Sequence, residues 1–182
     1  MKSPATDGVI TLRRYRAGDG PALYTAVQGS FAELHRWLPW CHAGYSPADS
    51  EEFVRSRDAE WEKGEHFSFV ITDTAENEFL GGVGLNSRNR IHNFANLGYW
   101  IRADASSRGL ATRAAQLMAR FGFEEVGLQR IEIVCAPGNL ASQRVAEKAG
   151  ARREGVLRSR MLLHGQPGDA VIFSLVPKDL DR

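Results

Sequence analysis

The chain has 182 residues, of which 43% are hydrophobic and 25% are charged. These values are typical of a globular domain with a full core, and they exclude disordered and fibrous proteins. The 23 basic and 22 acidic residues leave a formal net charge of +1. Such a balance gives no general attraction to nucleic acid or to an anionic membrane, so we expect neither as a partner. We predict a single domain over residues 1–182.

The cysteines and the N-terminus indicate the compartment. Cys41 and Cys135 are too few for a disulfide framework, so we interpret both as reduced, buried thiols. The N-terminal segment lacks the apolar core of a signal peptide, and no apolar run is long enough to span a bilayer. No group of Cys and His residues has metal-ligand spacing. The sequence therefore predicts a cytoplasmic protein without a metal.

The first third of the chain has the pattern of one strand followed by two helices. Alternating residues predict a strand over residues 9–15, and apolar residues at helical spacing predict a helix over residues 21–38, with a break at Gly29. Ser46 and Pro47 are followed by acidic residues, which is typical of the start of a second helix. The apolar residues that we expect on its inward face are Phe53, Val54 and Trp61.

The periodicity then changes to that of strands. Residues 67–71, 79–85 and 94–101 are three predicted strands, and their short polar connections favour an antiparallel meander. The remaining predicted elements are a helix over residues 109–126 closed by Gly127, a strand over residues 130–135, a helix over residues 139–149 stopped by Gly150, and a hairpin over residues 151–176 that turns at residues 165–168. This order of elements predicts one mixed α/β domain.

The most informative segment is residues 100–112, where a strand ends, a polar turn follows and a helix opens with small residues. The first N–H groups of a helix have no partner within it and lie at the positive end of its dipole, so they bind phosphate readily. Gly109 and Ala111 would let a pyrophosphate approach the backbone, and Arg108 adds a positive charge. The same residues also fit a plain strand-to-helix turn, and the local pattern does not decide between the two.

A family resemblance decides between them. Ser106-Ser107-Arg108-Gly109-Leu110-Ala111 resembles the acetyl-CoA signature of the GNAT acyltransferases, Gln/Arg-x-x-Gly-x-Gly/Ala, with Ser106 in place of the first Gln or Arg. Residues 96–101 resemble the fourth strand of that family, and residues 139–150 resemble the Asn-x-x-Ser helix of its Rim-type branch, the ribosomal-protein N-terminal acetyltransferases. Residues 36–40 and 168–175 also fit that branch. The resemblance spans nearly the whole chain, with the motifs in the family's order.

The resemblance implies a fold and a cosubstrate. The fold is a single α/β GNAT domain, a mixed and mostly antiparallel sheet with a splayed central strand pair flanked by helices. The cosubstrate is acetyl-CoA, and no metal is implied. The implied cofactor-binding residues are Trp100, Ile101, Arg108, Gly109, Leu110, Ala111, Thr112, Asn139 and Ser142. Asn139 and Ser142 would also suit a helix cap without any chemistry.

The resemblance also implies a catalytic residue and an acceptor. The Ser142 hydroxyl would hydrogen-bond the sulfur as the thiolate departs, so Ser142 is the predicted catalytic residue. Asn96 stands where many members of the family have a carboxylate, and an amide does not accept a proton at neutral pH. Two outcomes stay open: a base elsewhere in the chain acts through water, or the substrate needs little help. An α-amine, with a pKa of about 8 against about 10.4 for lysine, needs less help to become neutral. We therefore expect the α-amine of a protein or peptide N-terminus as acceptor.

Two alternatives stay open at this point: a small-amine acetyltransferase acting on an antibiotic or metabolite, and a non-catalytic acyl-CoA sensor. Trp37, Trp40 and Asn96 are candidate acceptor contacts, although two tryptophans beside a proline also pack in ordinary cores. The five histidines are scattered, and we interpret each as a surface or packing residue. Glycines 81, 82 and 84 have no following helix, so they predict a strand with close backbone approach. A homodimer is compatible with the sequence.

Overall fold

Eight strands and five helices make up the described part of the chain, residues 5–75 and 77–180 of a computed structural model. The strands are β1 (Ala5–Thr6), β2 (Ile10–Arg14), β3 (Phe67–Asp73), β4 (Phe79–Asn89), β5 (Phe94–Ile101), β6 (Arg130–Cys135), β7 (Arg152–Leu163) and β8 (Gln166–Leu175). The helices are α1 (Gly20–Gln28), α2 (Phe31–Trp37), α3 (Pro47–Lys63), α4 (Leu110–Glu124) and α5 (Leu140–Lys148). The first four residues, which belong to the segment used above to argue against a signal peptide, lie outside the described residues.

The strands form one mixed sheet in the order β1-β2-β3-β4-β5-β6-β8-β7. Neighbouring strands are antiparallel except β5 and β6, which run parallel. These two strands pair only at their beginnings, where residues 94–96 lie opposite residues 130–132, and they diverge beyond that point. The predicted fold, a mostly antiparallel sheet with a splayed central strand pair flanked by helices, is confirmed.

Helices cover both faces of this sheet. The larger hydrophobic core lies between the sheet and α4 and includes Leu97 and, partly buried, Tyr99. The smaller core lies under α1, α2 and α3 and includes Val70 and, partly buried, Trp100. Successive side chains of a strand point to opposite faces, so β5 contributes alternately to the two cores. Within the described residues, no helix is long and apolar enough to cross a membrane, and no three His, Cys, Asp or Glu side chains are grouped as a metal site.

Local sequence signals account for the helix boundaries. The helical stretch predicted over residues 21–38 is two helices, because Gly29 and Ser30 end α1 before α2 begins. α3 begins as predicted, since Ser46 and Asp49 form a reciprocal capping box around its first turn. Both cysteines are buried and free, as predicted.

Three details differ from the sequence-based expectation. β4 continues to Asn89, beyond the predicted end of that strand. The C-terminal hairpin turns at His164 and Gly165 instead of residues 165–168, because these two residues have φ angles of 49° and 78°. Positive φ at both central residues is what a two-residue type I′ turn requires. Phe53 is 37% exposed instead of buried, because it borders the cleft described below.

The glycines of β4 allow the close strand contacts that were predicted. A Cβ at Gly81 would lie 2.2 Å from the carbonyl oxygen of Trp100, and a Cβ at Gly84 would lie 2.9 Å from that of Phe67. A side chain at either position would therefore push the neighbouring strand away. Gly84 lies opposite Gly98 on β5, so the α1–α3 face of the sheet carries two adjacent positions without side chains.

Candidate active site

A cleft of about 1590 Å³ opens where β5 and β6 diverge. It extends from the beginnings of α4 and α5 on one side to α2 and α3 on the other. The predicted site residues that line it are Trp37, Trp40, Asn96, Trp100, Ile101, Gly109, Leu110, Ala111, Thr112, Asn139 and Ser142. Arg108 is exposed beside the start of α4 and does not line the cleft. The divergence of the two strands thus brings together residues that are distant in the sequence.

The start of α4 is an uncapped helix terminus that faces the cleft. Gly109 is its N-cap residue, and no side chain of the described chain forms a capping hydrogen bond there. The N–H of Arg113 bonds back to the Gly109 carbonyl oxygen, so the N–H groups of Leu110, Ala111 and Thr112 have no acceptor within the helix. Unpaired N–H groups at the positive end of a helix dipole bind anions. This end of the cleft therefore fits the pyrophosphate of acetyl-CoA.

Gly109 has two separate reasons to be glycine. Its φ of 77° lies in the left-handed region, which glycine adopts without steric cost. A Cβ added at Gly109 would contact nothing within 4 Å, because it would point into open space. The sequence suggested only the second reason, close approach of a ligand. A β-branched residue would strain the backbone even without a ligand, whereas asparagine tolerates the left-handed region.

Ser142 lies at the centre of a hydrogen-bond network between the diverging strands. Its backbone N–H donates to Asn139 Oδ1 at 3.1 Å, so Asn139 caps α5. The Tyr99 hydroxyl donates to the Ser142 carbonyl oxygen at 2.8 Å and lies 3.1 Å from its Oγ. Cys135 Sγ lies 3.2 Å from the same Oγ. The Ser142 hydroxyl is therefore held between β5, β6 and the start of α5.

Tyr99 and Cys135 are residues of the cleft that sequence reasoning missed. Burial raises the pKa of the Tyr99 hydroxyl and of the Cys135 thiol, so both groups are protonated at neutral pH. A sequence signal exists for Tyr99, because it alternates with Trp100 along β5 and must point to the opposite face. Cys135 gives no such signal, since a cysteine at the end of a buried strand is usually a core residue.

Aromatic side chains form the wall of the cleft on the α1–α3 face. The ring centroid of Trp40 lies 6.0 Å from that of Trp100 and 5.9 Å from that of Tyr45. Trp37 packs beside Gly138, where an added Cβ would lie 3.3 Å from the indole ring. Both candidate tryptophans therefore border the space that an acceptor would enter, and their contact with an acceptor stays a prediction.

A row of polar side chains crosses the sheet below these aromatic residues. Asn86 of β4 lies opposite Asn96 of β5, and Phe67 lies opposite Leu85, so the preceding residue, His66, continues the row beside Asn86. Asn96 Nδ2 donates to Asn86 Oδ1 at 3.0 Å. Asn96 Oδ1 is buried and has no hydrogen-bond partner among the described residues. A buried acceptor without a donor is costly, and an amine N–H in the cleft would satisfy it.

His66 has the properties of a neutral base. It lines the cleft and is half-buried. Burial, followed by the positive charge of Arg57, lowers the pKa of the His66 imidazole below the usual 6.5, whereas Glu60 and Glu65 act in the opposite direction. The ring is therefore uncharged at pH 7 and able to accept a proton.

The other histidines follow the sequence interpretation only in part. His92 is exposed, and the rings of His35 and His164 pack at a centroid distance of 4.2 Å. His42 lines the cleft, and its Nε2 lies 3.7 Å from Asp49 Oδ1. Sequence periodicity did not distinguish His42 and His66, because the position of a residue beside a cleft depends on strands that are distant in the chain.

Comparison with known proteins identifies the family. The model of the acetyltransferase (GNAT) domain family matches residues 10–152. The chain belongs to the GNAT family. It is accordingly an acetyl-CoA-dependent N-acetyltransferase. The predicted resemblance and the predicted cosubstrate are confirmed.

The related proteins differ in how much of this GNAT enzyme they match. YdaF of Bacillus subtilis (strain 168), provisionally named a ribosomal N-acetyltransferase, is 24% identical over 176 residues, 93% of this chain and 92% of its own. The solved structure of a protein from Vibrio cholerae, provisionally named a ribosomal-protein-serine acetyltransferase, is 31% identical with a TM-score of 0.84 and covers 96% of this chain and 98% of its own. Spermidine N(1)-acetyltransferase of Escherichia coli (strain K12) is 29% identical over 103 residues, 57% of this chain and 54% of its own.

We predict that Gly109→Asn weakens CoA binding by about tenfold or more, which corresponds to about 1.4 kcal/mol. The new side chain would occupy the open space in front of the N–H groups of α4, while the left-handed backbone is retained. Isothermal titration calorimetry with CoA measures the effect. Gly127→Asn is the matched control, because Gly127 has a φ of 72° and equally open surroundings but does not line the cleft. Equal CoA affinity of the two folded variants would contradict the assignment.

Proposed function

We propose that this GNAT enzyme acetylates the α-amine of a protein N-terminus. The observation that carries the proposal is the polar row in which His66 is a neutral base and Asn96 Oδ1 is a buried acceptor without a donor. A base with a pKa below 6.5 deprotonates an α-ammonium of pKa about 8 far more readily than a lysine of pKa about 10.4. This pairing of base and acceptor fits an N-terminus better than a side-chain amine.

The same row suggests how the amine is prepared for attack. Asn96 Oδ1 accepts a hydrogen bond from the amine and orients its lone pair toward the space between β5 and β6. His66 directly precedes β3, and Asn96 is on β5. The two residues are therefore separated by two strand spacings of ~4.8 Å each, so His66 receives the proton through a water molecule. Burial of the His66 ring, and second to it the positive charge of Arg57, lowers the pKa of His66 and so favours the unprotonated ring.

Backbone and hydroxyl groups act at the acyl end of the site. Beyond Asn96, the edge of β5 that faces β6 has no partner strand, so its N–H groups are free to stabilise negative charge on the acyl oxygen. Ser142 Oγ lies between Tyr99 and Cys135 and donates to the sulfur as the thiol leaves. Arg108 is retained only as a charge near the helix start, because it does not line the cleft.

The relatives support a ribosomal protein as the acceptor. YdaF, provisionally named a ribosomal N-acetyltransferase, matches 93% of this chain, whereas the spermidine enzyme matches 57%. Such an acceptor also places the enzyme in the cytoplasm, and the catalytic unit that we propose comprises residues 1–182. A small-amine acceptor is the competing function. A non-catalytic sensor is not proposed, because the cleft contains a proton acceptor that the sequence did not reveal.

We expect N-terminal peptides with a free α-amine to be acetylated with a kcat/KM about 10²-fold higher than lysine side chains in N-terminally blocked peptides. At pH 7.5 roughly a quarter of an α-amine is neutral, against about a thousandth of a lysine. The measurement is thiol release from acetyl-CoA with a peptide panel that also includes spermidine. Higher kcat/KM for spermidine or for lysine would refute an N-terminal acceptor while leaving the acetyltransferase activity intact.

For Ser142→Ala we expect kcat to fall by up to about 10²-fold at saturating acetyl-CoA, with little change in CoA affinity, because a hydrogen bond to the departing sulfur strengthens in the transition state. The cap of α5 survives, since it uses the backbone N–H of Ser142. Asn139→Ala is the matched variant for stability, and losing that cap costs about 0.5–2 kcal/mol. Wild-type kcat in Ser142→Ala would leave this residue with a structural role only.

His66→Gln is predicted to lower kcat by about 10²-fold and to change its pH dependence. In the wild type, kcat falls as the pH drops through the pKa of His66, which burial holds below its usual value, because the protonated ring no longer accepts a proton. Glutamine does not titrate, so the variant loses this decline. The profile is measured with both substrates saturating, and His92→Gln serves as an exposed control. If kcat of His66→Gln still declines at acidic pH as it does in the wild type, another group is the base.

A further inference from the structure

β7 carries four arginines, Arg152, Arg153, Arg158 and Arg160, and none of them forms an ion pair within the described residues. Arg158 and Arg160 are exposed, and within residues 5–75 and 77–180 no carboxylate lies within ion-pair distance of either. Several other arginines in or next to the strands are paired: Arg13 with Asp19, Arg14 with Asp58, Arg102 with Glu78 and Asp104, and Arg130 with Glu132 and Glu154. We call Arg158 and Arg160 the arginine rim.

The local backbone holds the arginine rim out of the regular ladder. The register of β7 and β8 shifts between Leu157 and Met161, so the residues between them form a bulge. Ser159, at its centre, has a φ of 50°, and its N–H donates to Asp169 Oδ1 at 2.9 Å. The bulge therefore has a defined backbone conformation, and both arginines in it are exposed.

The arginine rim reaches the acceptor side of the cleft through Arg160, and Arg158 lies two residues before it without lining the cleft. Arg160, Met161 and Leu162 line the cleft directly. The tip of the hairpin reaches α2, where the His164 ring contacts the His35 carbonyl oxygen and packs on the His35 ring. This part of β7 therefore lies across from the tryptophans of the acceptor side, and a chain leaving the cleft there would pass the arginine rim.

The edge of β7 is suited to an extended chain. β7 is the last strand of the sheet, paired only with β8 among the described strands, so the N–H and C=O groups on its outer side have no partner strand. Such an edge accepts an additional strand through main-chain hydrogen bonds. Leu157 and Leu162 are 48% and 63% exposed and would contact alternate side chains of that strand.

We propose that the arginine rim binds acidic residues in the segment that follows the N-terminus of the acceptor protein. The inference rests on the proposed function and adds the charge that the acceptor must carry downstream of its α-amine. Arginine recognises carboxylates through paired hydrogen bonds. RNA is the other polyanion that arginines bind, but Arg160 lines the cleft that also contains Ser142, and the net charge of +1 gives no general attraction to RNA.

The test compares three hexapeptides that share the same first three residues and carry Asp, Asn or Lys at positions four to six. We expect the Asp peptide to have a KM about tenfold lower than the Asn peptide, with similar kcat, as two exposed ion pairs would give. The advantage disappears in the double variant Arg158→Ala/Arg160→Ala and shrinks with added salt. Arg153→Ala is the control, because Arg153 is exposed on β7 but lies opposite Phe173, outside the bulge that carries Arg158 and Arg160.

The acetylation rates of the peptides distinguish a failure of acidic-segment binding from a failure of N-terminal acetylation. If the Asp and Asn peptides are acetylated equally well, the arginine rim does not bind acidic segments. The proposal of an N-terminal acceptor is not affected by that result. A preference that persists in the double variant also overturns the inference. If none of the peptides is acetylated, both the proposed function and the inference about the arginine rim are wrong. If a double-stranded RNA oligonucleotide binds through the arginine rim while the peptides show no preference, RNA is the partner.

Discussion

The short pairing of β5 with β6 is the constraint on which the site depends. Only residues 94–96 and 130–132 are paired, so two central strands leave backbone groups without partners in the middle of an otherwise continuous sheet. Unpaired backbone groups are tolerated only where water or a ligand can reach them. The cleft follows directly, and the helices that begin after these strands bring their N-terminal ends to its rim. The chain thus uses an interrupted ladder to build a site that a complete sheet would exclude.

The hydrogen bonds of Ser142 hold this gap in a fixed shape. Tyr99 connects β5 to the start of α5, and Cys135 places the end of β6 beside the same serine. The cap from Asn139 fixes the first turn of α5. A single residue therefore joins the two diverging strands and also carries the hydroxyl for which we propose a hydrogen bond to the sulfur. Capping of α5 and a chemical role of the Ser142 hydroxyl are compatible, because the cap uses the backbone N–H of Ser142 and leaves its side chain available.

The sequence was informative where structure is local and uninformative where it depends on register. The bounds of β5 and β6 and the start of α3 follow from periodicity and from capping residues, and they were predicted correctly. The turn at His164 was misplaced, since a histidine gives no signal that it will adopt positive φ. The row that contains His66 was missed because it forms only when β3, β4 and β5 are aligned. Motifs that resemble those of the GNAT family predicted the acetyl-CoA half of the cleft, whereas the acceptor half required the fold.

The charges of the cleft suit an acceptor with one positive charge followed by negative ones. Asp49 caps α3, and Glu52 is paired with Arg55, so Glu33 is the cleft-lining carboxylate that has no ion pair within the described residues. One free carboxylate attracts one ammonium group. A polyamine would bring further positive charges toward Arg57 and the arginine rim, where like charges repel. Burial is the main cause of the lowered pKa of His66, and the charge of Arg57 adds to it. The same arginine repels a polycation, so Arg57 contributes both to the base and to the charge of the acceptor.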